Sequence, residues 1–356
     1  MDARKLASKA MQKKATVARK VVKPMDLTKI SGMGLNENSI GMSIKAKEAI
    51  IKELENGHRY GDFQAYELKT AIAEEFNLDA LNILTSMGSS PIIGFIAETF
   101  LNEGDELITC VPTFNAFKDA CLENLATPIL VELTKDTKFD LDGMISKITD
   151  KTKVIVVCNP NNPTATYVGI NEIEEFIKKV PDNIVVVFDE AYIEYATAKD
   201  CVSTVELMKN NPEKPIIVLR TFSKFYGLAG IRAGYALAQK EIIDEMVKCC
   251  GTWNLSRPAQ VGAVSALHDR EHSEFVLQEM LKGREFLEKE LTALGCEVFD
   301  SQTNFLYFNA HKDSKEVFDK LLSLGVHTSG GHKYNRVTVA TMPENEFFIK
   351  CMKEIM

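Results

Sequence analysis

The chain has 356 residues, of which 45% are apolar and 26% are charged, and its formal net charge at pH 7 is −8. This composition is ordinary for globular proteins and excludes disordered, collagen-like and coiled-coil chains, while the length suggests about two domains. The acidic balance argues against a nucleic acid or an anionic membrane as a partner, and no apolar run approaches the roughly 20 residues of a bilayer-crossing helix.

The N-terminal segment and the cysteines bear on where the protein resides. Residues 1–23 contain eight lysines and arginines against one acid and have no apolar core, so a signal peptide is not predicted. Their composition predicts an amphipathic helix that forms a surface arm or packs on a partner subunit, with targeting or nucleic-acid binding as the minor alternative. The eight cysteines show no CxxC spacing, and several lie in apolar runs, which predicts reduced thiols in a cytoplasmic protein.

Short β-branched runs alternate with amphipathic stretches between residues 80 and 240. This alternation predicts an α/β domain whose mostly parallel sheet lies between helices, and such sheets bind ligands beyond the carboxyl ends of their strands. The predicted strands are Leu81–Thr85, Glu106–Val111, Pro128–Leu133, Lys153–Cys158, Asn183–Phe188 and Pro215–Leu219, and the predicted helices are Ile92–Leu101, Phe114–Leu125 and Asn171–Lys179.

The pattern changes after a long helical stretch at Ala259–Leu294. Short strands and helices follow it, which predicts a smaller α+β domain at the end of the chain. We therefore expect a large domain over residues 46–270 and a second unit formed by the N-terminal arm, 1–45, together with a small domain, 271–356. The predicted strands of the small domain are Cys296–Phe299, Asn304–Phe308 and Arg336–Ala340, and its predicted helices are Lys315–Leu324 and Glu344–Ile355.

Two polar segments follow predicted strands of the large domain. In Met87–Pro91, Gly88 permits a tight turn and Ser90 is predicted to cap the next helix. Free N–H groups and two hydroxyls make this helix start a candidate phosphate site, with an ordinary capped helix as the alternative. The loop Asn159–Thr164 presents side-chain amides at the end of another strand. Both segments lie where a ligand site is expected.

Two further segments bring charged groups to strand ends. A buried strand ends at Asp189, where a carboxylate is costly unless a cation meets it, and Tyr192 can direct a phenol into the same space. In Thr221–Gly234, Lys224 lies among small residues and Arg232 follows it, which suits an amine nucleophile near an anion. The glycines of this segment form neither a dinucleotide fingerprint nor a Walker loop, so a nucleotide-dependent oxidoreductase is not favoured.

Together these motifs resemble the fold-type-I, pyridoxal-phosphate-dependent aminotransferases, most closely the histidinol-phosphate aminotransferase group, from about residue 35 to the C-terminus. The resemblance implies that Lys224 bonds covalently to the cofactor aldehyde and then moves the substrate proton. Asp189 would pair with the pyridine nitrogen, and Tyr192 and Asn162 would hydrogen-bond the phenolic oxygen of the ring. The other implied cofactor contacts are Phe114 on the ring face and Gly88, Ser89, Ser90, Ser223 and Arg232 at the phosphate.

Three further matches lie outside these motifs. Tyr60, in His58–Asp62, matches the tyrosine that reaches the cofactor phosphate of the neighbouring subunit, so the resemblance implies a homodimer. Arg336 matches the arginine that holds the substrate α-carboxylate, a role that suits a planar guanidinium. Leu35–Ser43 resembles the N-terminal active-site loop of the family, in which Gly41 would lie near that carboxylate. The resemblance implies that Asn162 would also contact the substrate.

Some positions depart from the family pattern. The histidinol-phosphate aminotransferases usually carry an arginine for the substrate phosphate in the stretch that here reads Gly325–His332, and Ser329 stands near its place. The N-terminal loop lacks an obvious tyrosine of the kind that helps to hold the substrate. Ala165 and Ser39 replace a glycine and a proline that are common in the family. The sequence therefore leaves open whether the substrate is phosphorylated and which amino acid and 2-oxo acid react.

The resemblance implies an aminotransferase that moves an amino group between an α-amino acid, or histidinol phosphate, and a 2-oxo acid. A racemase or decarboxylase that uses the same lysine is the nearest alternative. A non-catalytic, ligand-sensing regulator with an aminotransferase-like domain is the alternative from another class. No metal is expected, because His268 and His272 have one-turn spacing but no apparent third ligand. Arg257 is expected to be an interface arginine, with binding of an acidic substrate side chain as the alternative.

Overall fold

The computed structural model describes residues 3–13, 30–330 and 332–356. Of the helix predicted over residues 1–23, it describes a 3₁₀ turn at Ala3–Leu6 and a short helix at Lys9–Lys13. The rest of that predicted helix lies outside the described residues. Among the described residues, no helix is both long enough and apolar enough to cross a bilayer.

The elements are numbered here in chain order. The strands are β1 (Ser31–Gly32), β2 (Ile83–Ser86), β3 (Glu106–Val111), β4 (Thr127–Glu132), β5 (Thr152–Cys158), β6 (Val185–Asp189), β7 (Ile216–Thr221), β8 (Gly234–Ala238), β9 (Glu297–Val298), β10 (Phe305–Asn309), β11 (Val326–His327) and β12 (Asn335–Thr338). The helices are α1 (Lys9–Lys13), α2 (Ile44–Glu53), α3 (Tyr66–Phe76), α4 (Ser89–Phe100), α5 (Ala116–Glu123), α6 (Leu141–Ser146), α7 (Ile170–Lys179), α8 (Val205–Asn210), α9 (Lys240–Met246), α10 (Arg257–His268), α11 (Arg270–Ala293), α12 (Ser314–Ser323) and α13 (Met342–Ile355).

The large sheet contains the strands after which the sequence places the candidate site residues. Within the described ranges, seven strands form it in the order β2-β8-β7-β6-β5-β3-β4. Neighbouring strands are parallel except where β8 is involved, since β8 runs antiparallel to β2 and β7. β6 and β7 are buried along their whole lengths, as apolar runs in a sheet covered on both faces should be. The predicted mostly parallel α/β fold is confirmed.

Strand β8, which the sequence pattern does not predict, brings Arg232 to the ligand-binding edge. β2, β3, β5, β6 and β7 run in one direction, so their carboxyl ends share one edge of the sheet. β8 starts at that edge and runs back from it, so Arg232, two residues before β8, lies near Lys224, which follows β7. The run Gly234–Ala238 consists mainly of small residues rather than β-branched ones, which weakens its strand signal.

The helix predicted over Ala259–Leu294 is in fact two helices, α10 and α11, that meet at Asp269. Asp269 has φ −85° and ψ 74°, which is not helical, and its buried carboxylate accepts a hydrogen bond from Lys45 Nζ at 2.8 Å. The break places His268 and His272 on different helices, and His272 Nε2 lies 3.2 Å from a backbone carbonyl oxygen. In the part of the chain that the structure describes, no group of three or more His, Cys, Asp or Glu side chains is placed to hold a metal ion.

The buried side chains form two hydrophobic cores. The first surrounds the large sheet, and its members lie between Ala46 and Leu267. The second gathers side chains of α11, α12, α13 and the β12-β10-β9 sheet, and it also includes Tyr192 and Phe225 from the large region. We propose, on the support of this division, the predicted boundaries of 46–270 for the large domain and 271–356 plus the N-terminal arm for the second unit.

Candidate active site

A cavity of about 590 Å³ lies at the carboxyl edge of the large sheet. Its walls come from the loops after β2, β3, β5, β6 and β7, from β12, and from residues 35–37 of the N-terminal segment. The topology therefore joins side chains that are far apart in the sequence. The predicted site residues that line the cavity are Ser89, Ser90, Phe114, Asn162, Asp189, Tyr192, Ser223, Lys224, Arg232 and Arg336.

Lys224 places an amine in this cavity. Its Nζ donates a hydrogen bond to the backbone carbonyl of Leu35 at 2.7 Å and lies 6.0 Å from the centre of the Tyr192 ring. Burial, and to a smaller extent the nearby Arg336 cation, lowers the pKa of Lys224 to about 8. An amine with such a pKa is partly neutral near physiological pH, so Lys224 can act as a nucleophile and as a base.

Asp189 places a carboxylate in the same cavity. Its side chain ends β6 and accepts a hydrogen bond from the Ala191 N–H at 3.2 Å. The residue is 6% exposed, and burial raises the pKa of Asp189 to about 6 because the carboxylate loses its hydration. A buried carboxylate gains most from a cationic partner, so Asp189 suits the protonated ring nitrogen of a ligand.

The start of α4 and the Arg232 guanidinium form a cradle for an anion. Gly88 precedes α4 with φ +84°, and a Cβ atom there would lie only 2.5 Å from Arg232 Nη2. Arg232 also donates to Ser223 Oγ at 3.3 Å, which holds the cation beside the first-turn N–H groups of the helix. The helix begins at Ser89, so the prediction that Ser90 caps it is wrong: Gly88 occupies the cap position and brings no capping side chain.

Arg336 offers a buried cation from β12. It is 8% exposed and donates to the Gly34 carbonyl through Nη2 at 2.6 Å and to Asn162 Oδ1 through Nη1. Its Nε is buried without a hydrogen-bond partner among the described residues. Burial lowers the pKa of the guanidinium, since the charged form loses hydration. Arg336 lines the cavity, and a buried cation there is suited to an anionic group of a ligand.

The loop Asn159–Thr164 presents one of its asparagines to the cavity. Asn159 exchanges side-chain hydrogen bonds with the Val168 backbone at 2.9 and 3.0 Å, and Asn161 Oδ1 accepts from Thr113 Oγ1 at 2.7 Å. The side chains of Asn159 and Asn161 are therefore already used in hydrogen bonds to neighbouring residues of the fold. Asn162 lines the cavity and accepts a hydrogen bond from Arg336. It therefore connects the predicted site residues of the large sheet with Arg336 on β12.

Gly41 lies outside the cavity lining, and its predicted place near the substrate carboxylate stays a prediction. A Cβ atom on Gly227 would lie 2.5 Å from the carbonyl oxygen of Gly41. The same loop contacts Arg336 earlier, through Gly34. The segment follows the cavity wall over residues 35–37, and Gly41 then approaches the backbone after Lys224.

Tyr60 also lies outside the cavity lining of its own chain. It is 78% exposed and stacks on Trp253 with ring centroids 4.6 Å apart. Its carbonyl accepts a hydrogen bond from Arg257 Nη1 at 3.1 Å, and the Arg257 guanidinium is paired with Glu53. Within the described residues, the contacts of Tyr60 therefore connect it to the surface beside α2 and α10.

Two further residues that line the cavity, Asn36 and His332, are not among the predicted site residues. Asn36 is 1% exposed, has φ +54°, and donates from Nδ2 to the Tyr192 hydroxyl at 3.1 Å. An asparagine tolerates the left-handed region, and its place in the predicted active-site loop was the available signal. His332 also lines the cavity, and its Nε2 lies 3.3 Å from Ser329 Oγ. Burial, with the Arg336 cation, lowers the pKa of His332.

Comparisons with known proteins agree with this site. The sequence matches the family described as aminotransferase class I and II over residues 28–348. It is 36% identical over 326 residues to a histidinol-phosphate aminotransferase from Moorella thermoacetica, covering 90% of this chain and 84% of the relative. It is also 36% identical over 341 residues to one from Caldicellulosiruptor saccharolyticus, covering 94% of each chain. The chain therefore belongs to the class I and II aminotransferases.

The fold is similar to that of a solved relative. The histidinol-phosphate aminotransferase from Sinorhizobium meliloti, determined in complex with pyridoxal 5'-phosphate, matches with a TM-score of 0.89 at 23% identity and covers 98% of both chains. At this identity the likeness establishes the fold. Family membership makes the chain a pyridoxal-phosphate-dependent aminotransferase, so the predicted enzyme class and cofactor are confirmed.

The residues of the cavity fit this cofactor. The cradle of Gly88 and Arg232 suits the phosphate. A side chain at position 88 would collide with the guanidinium, so glycine is what allows this cation to lie against the start of the helix. The buried carboxylate of Asp189 suits a protonated ring nitrogen, and the partly neutral amine of Lys224 suits the aldehyde.

Proposed function

We propose that histidinol phosphate is the amino donor of this enzyme, that a 2-oxo acid is the acceptor, and that Arg336 binds the anionic group of each. The observation that carries the proposal is the placement of Lys224, Asp189 and Arg336 in one cavity, where the Arg336 guanidinium supplies a buried cation. The choice of donor is supported by relatives named histidinol-phosphate aminotransferase that are 33–36% identical over at least 90% of this chain. An α-amino acid is the second candidate.

The cofactor, when bound, withdraws electrons from the substrate carbon that carries the amino group. Asp189 holds the ring nitrogen in its protonated state, since this supplies the cationic partner that the buried carboxylate lacks. Burial raises the pKa of Tyr192 to about 12, so the phenol keeps its proton and donates to the ring oxygen. Asn162 donates to the same oxygen, and Phe114 covers a ring face, as the resemblance implies.

Lys224 acts as the acid and the base of the reaction. Because its pKa is lowered to about 8, a usable fraction of Nζ is neutral and can accept the proton from the substrate carbon. The same amine then returns the proton at the exocyclic carbon of the cofactor. Arg336 lines the same cavity as Lys224, so a substrate anion bound by Arg336 is held in the cavity that contains the amine.

The phosphate of the donor is assigned to Arg336 because neither Ser329 nor His332, in the loop that precedes it, supplies a cation to the cavity. Ser329 stands where this group of enzymes usually has an arginine, and it contacts His332 at 3.3 Å. Burial and the Arg336 cation lower the pKa of His332, which favours the uncharged imidazole. Lys333 of the same loop does not line the cavity, so neither it, Ser329 nor His332 supplies a cation there, whereas Arg336 does.

The proposal includes a homodimer in which Tyr60 reaches the cofactor phosphate of the neighbouring subunit. Large apolar side chains are exposed on α2, on the segment that follows it and beside Tyr60, which supports an interface on this surface. We assign Arg257 to the same interface, because its guanidinium is already paired with Glu53. The exposed side chains are Ile44, Ile51, Leu54, Tyr60, Phe63, Tyr66 and Trp253. A cytoplasmic location is supported by the eight cysteines, all of which are unpaired.

The decisive experiment mixes the purified, cofactor-loaded enzyme with single amino donors and follows the absorbance of the bound cofactor through one turnover. Histidinol phosphate should convert the cofactor to its amine form fastest, with one equivalent of the matching oxo compound released. Faster conversion by aromatic or acidic amino acids would replace histidinol phosphate with that class. Inverted substrate without an oxo product would indicate a racemase, and release of carbon dioxide would indicate a decarboxylase. Binding without turnover would indicate a regulator.

A further inference from the structure

Asn36 forms a buried link between the small domain and the cavity. Its backbone N–H donates to Thr338 Oγ1 on β12 at 3.0 Å, and its carbonyl accepts from Asn304 Nδ2 at 3.1 Å. Its side chain spans from Thr338 to Tyr192, with Nδ2 3.1 Å from the phenol oxygen. The residue is 1% exposed and lies in the left-handed region, so the fold holds it in one conformation from several sides.

The orientation of the Asn36 amide follows from the hydroxyl of Thr338. That hydroxyl oxygen already accepts the backbone N–H of Asn36, and its single proton is donated to Asn36 Oδ1 at 3.2 Å. With Oδ1 committed to Thr338, the amide must present its Nδ2 to Tyr192. The hydrogen bond between Asn36 and Tyr192 therefore has a fixed direction, in which the amide donates and the phenol accepts.

A phenol that accepts on one side directs its own proton to another acceptor. A tyrosine hydroxyl has one proton, and its position toward Asn36 is filled by the amide hydrogen. Tyr192 lines the cavity, so the proton is left for an acceptor there. We propose that Asn36, oriented by Thr338, is a positioning residue that keeps Tyr192 as a hydrogen-bond donor to the ring oxygen of the cofactor. This inference rests on the cofactor placement given under the proposed function.

The test reads the proton affinity of the bound cofactor rather than activity. A donor to the ring oxygen stabilises its anionic form, so loss of the donor should raise the midpoint pH of the absorbance titration of the bound cofactor. In N36D, which is nearly isosteric, the carboxylate accepts the protons of both Thr338 and Tyr192. We expect the midpoint to rise by about one to two pH units, the size of one hydrogen bond to a charged group.

Two further variants separate positioning from simple charge. Tyr192→Phe should raise the midpoint by a similar amount, and N36D added to it should raise it little further, because the phenol through which Asn36 acts is gone. N36G keeps the left-handed backbone without adding a charge, and it should shift the midpoint in the same direction by less. N345D is the matched control: this buried asparagine of α13 bonds to Ala340 away from the cavity, so it should lower the unfolding temperature and leave the midpoint unchanged.

Two results would overturn the inference. One is an unchanged midpoint in N36D and N36G. Another is a rise in N36D that persists in full in the Tyr192→Phe background, since that would be a charge effect. If N36D does not fold, N36G alone decides by whether its midpoint rises. Failure of the wild-type protein to develop the cofactor absorbance would overturn the cofactor placement as well, so the two failures are distinguishable.

Discussion

Lys224 Nζ donates a 2.7 Å hydrogen bond to the backbone carbonyl of Leu35, a residue of the N-terminal loop. The bond holds the amine against a wall of the cavity before any cofactor is bonded to it. To attack an aldehyde, the amine must be neutral and must break its hydrogen bond to this carbonyl. The reactivity of the site toward the cofactor therefore depends on whether Lys224 is protonated.

The first prediction concerns the pH dependence of cofactor capture. Because burial and Arg336 lower the pKa of Lys224 to about 8, the rate at which the apoprotein binds pyridoxal phosphate covalently should rise with pH and level off above this value. Stopped-flow absorbance after mixing measures the rate directly. A rate that continues to rise toward the ordinary lysine pKa of 10.5 would show that the amine is not perturbed in this way.

The second prediction concerns Asp189 in the apoprotein. Its folded-state pKa of about 6 lies above the ordinary 3.8, so its contribution to stability is present below the lower value and is lost as pH rises through about 6. Replacement by Asn removes this cost, and D189N apoprotein should gain up to about 3 kcal/mol in unfolding free energy at neutral and alkaline pH. Transamination should meanwhile fall by roughly 100-fold or more, because the ring nitrogen loses its counter-ion.

Urea unfolding of the apoprotein at about pH 8 and about pH 4.5 gives the comparison for D189N. The gain should be present at the higher pH and shrink at the lower one. Asp136, an exposed aspartate, provides the control: D136N removes the same charge from a hydrated position and should leave the unfolding free energy nearly unchanged. A gain of equal size in both variants would mean that net charge, rather than burial of Asp189, sets the effect.

The large sheet was predictable because its central strands are unbroken apolar runs that end in polar loops. Asp189 and Lys224 could be placed at one sheet edge from the parallel order alone, once the motifs were recognised. β8 escaped because Gly234–Ala238 lacks β-branched residues, and its antiparallel direction depends on contacts made with distant strands. The break at Asp269 escaped for a similar reason, since Lys45, more than 200 residues away, contributes to it.

Site residues that act through a side chain could be predicted from sequence motifs. Those whose role depends on the path or conformation of the backbone were harder to predict. Arg336 could be matched by its motif, but its contact with the Gly34 carbonyl depends on how the N-terminal loop crosses β12. Gly41 was placed by the resemblance alone, and its position near the substrate carboxylate stays a prediction. Asn36 reaches the Tyr192 hydroxyl from a left-handed backbone conformation, which a single sequence does not reveal.

The third prediction concerns Arg336 and the amino donor. R336Q removes the cation that we assign to the anionic group, so KM for the donor should rise by about 10- to 100-fold, as expected for one charge-assisted contact. Steady-state kinetics with histidinol phosphate measure this change. Arg284 is a similarly buried arginine of α11 that bonds to Thr197 and Thr303, and R284Q should lower stability without raising KM. An unchanged KM in R336Q would remove Arg336 from substrate binding.

The fourth prediction concerns Tyr60 and the partner subunit. If Tyr60 serves the neighbouring site, a purified hybrid of one K224A chain and one Y60A chain has one site that combines Lys224 of the second chain with Tyr60 of the first. That hybrid should regain about half of the wild-type activity, although each parent homodimer is impaired. A hybrid of K224A and D189N chains should regain nothing, because Lys224 and Asp189 line the same cavity of one chain. A K224A–Y60A hybrid no more active than Y60A would place Tyr60 outside the partner's site.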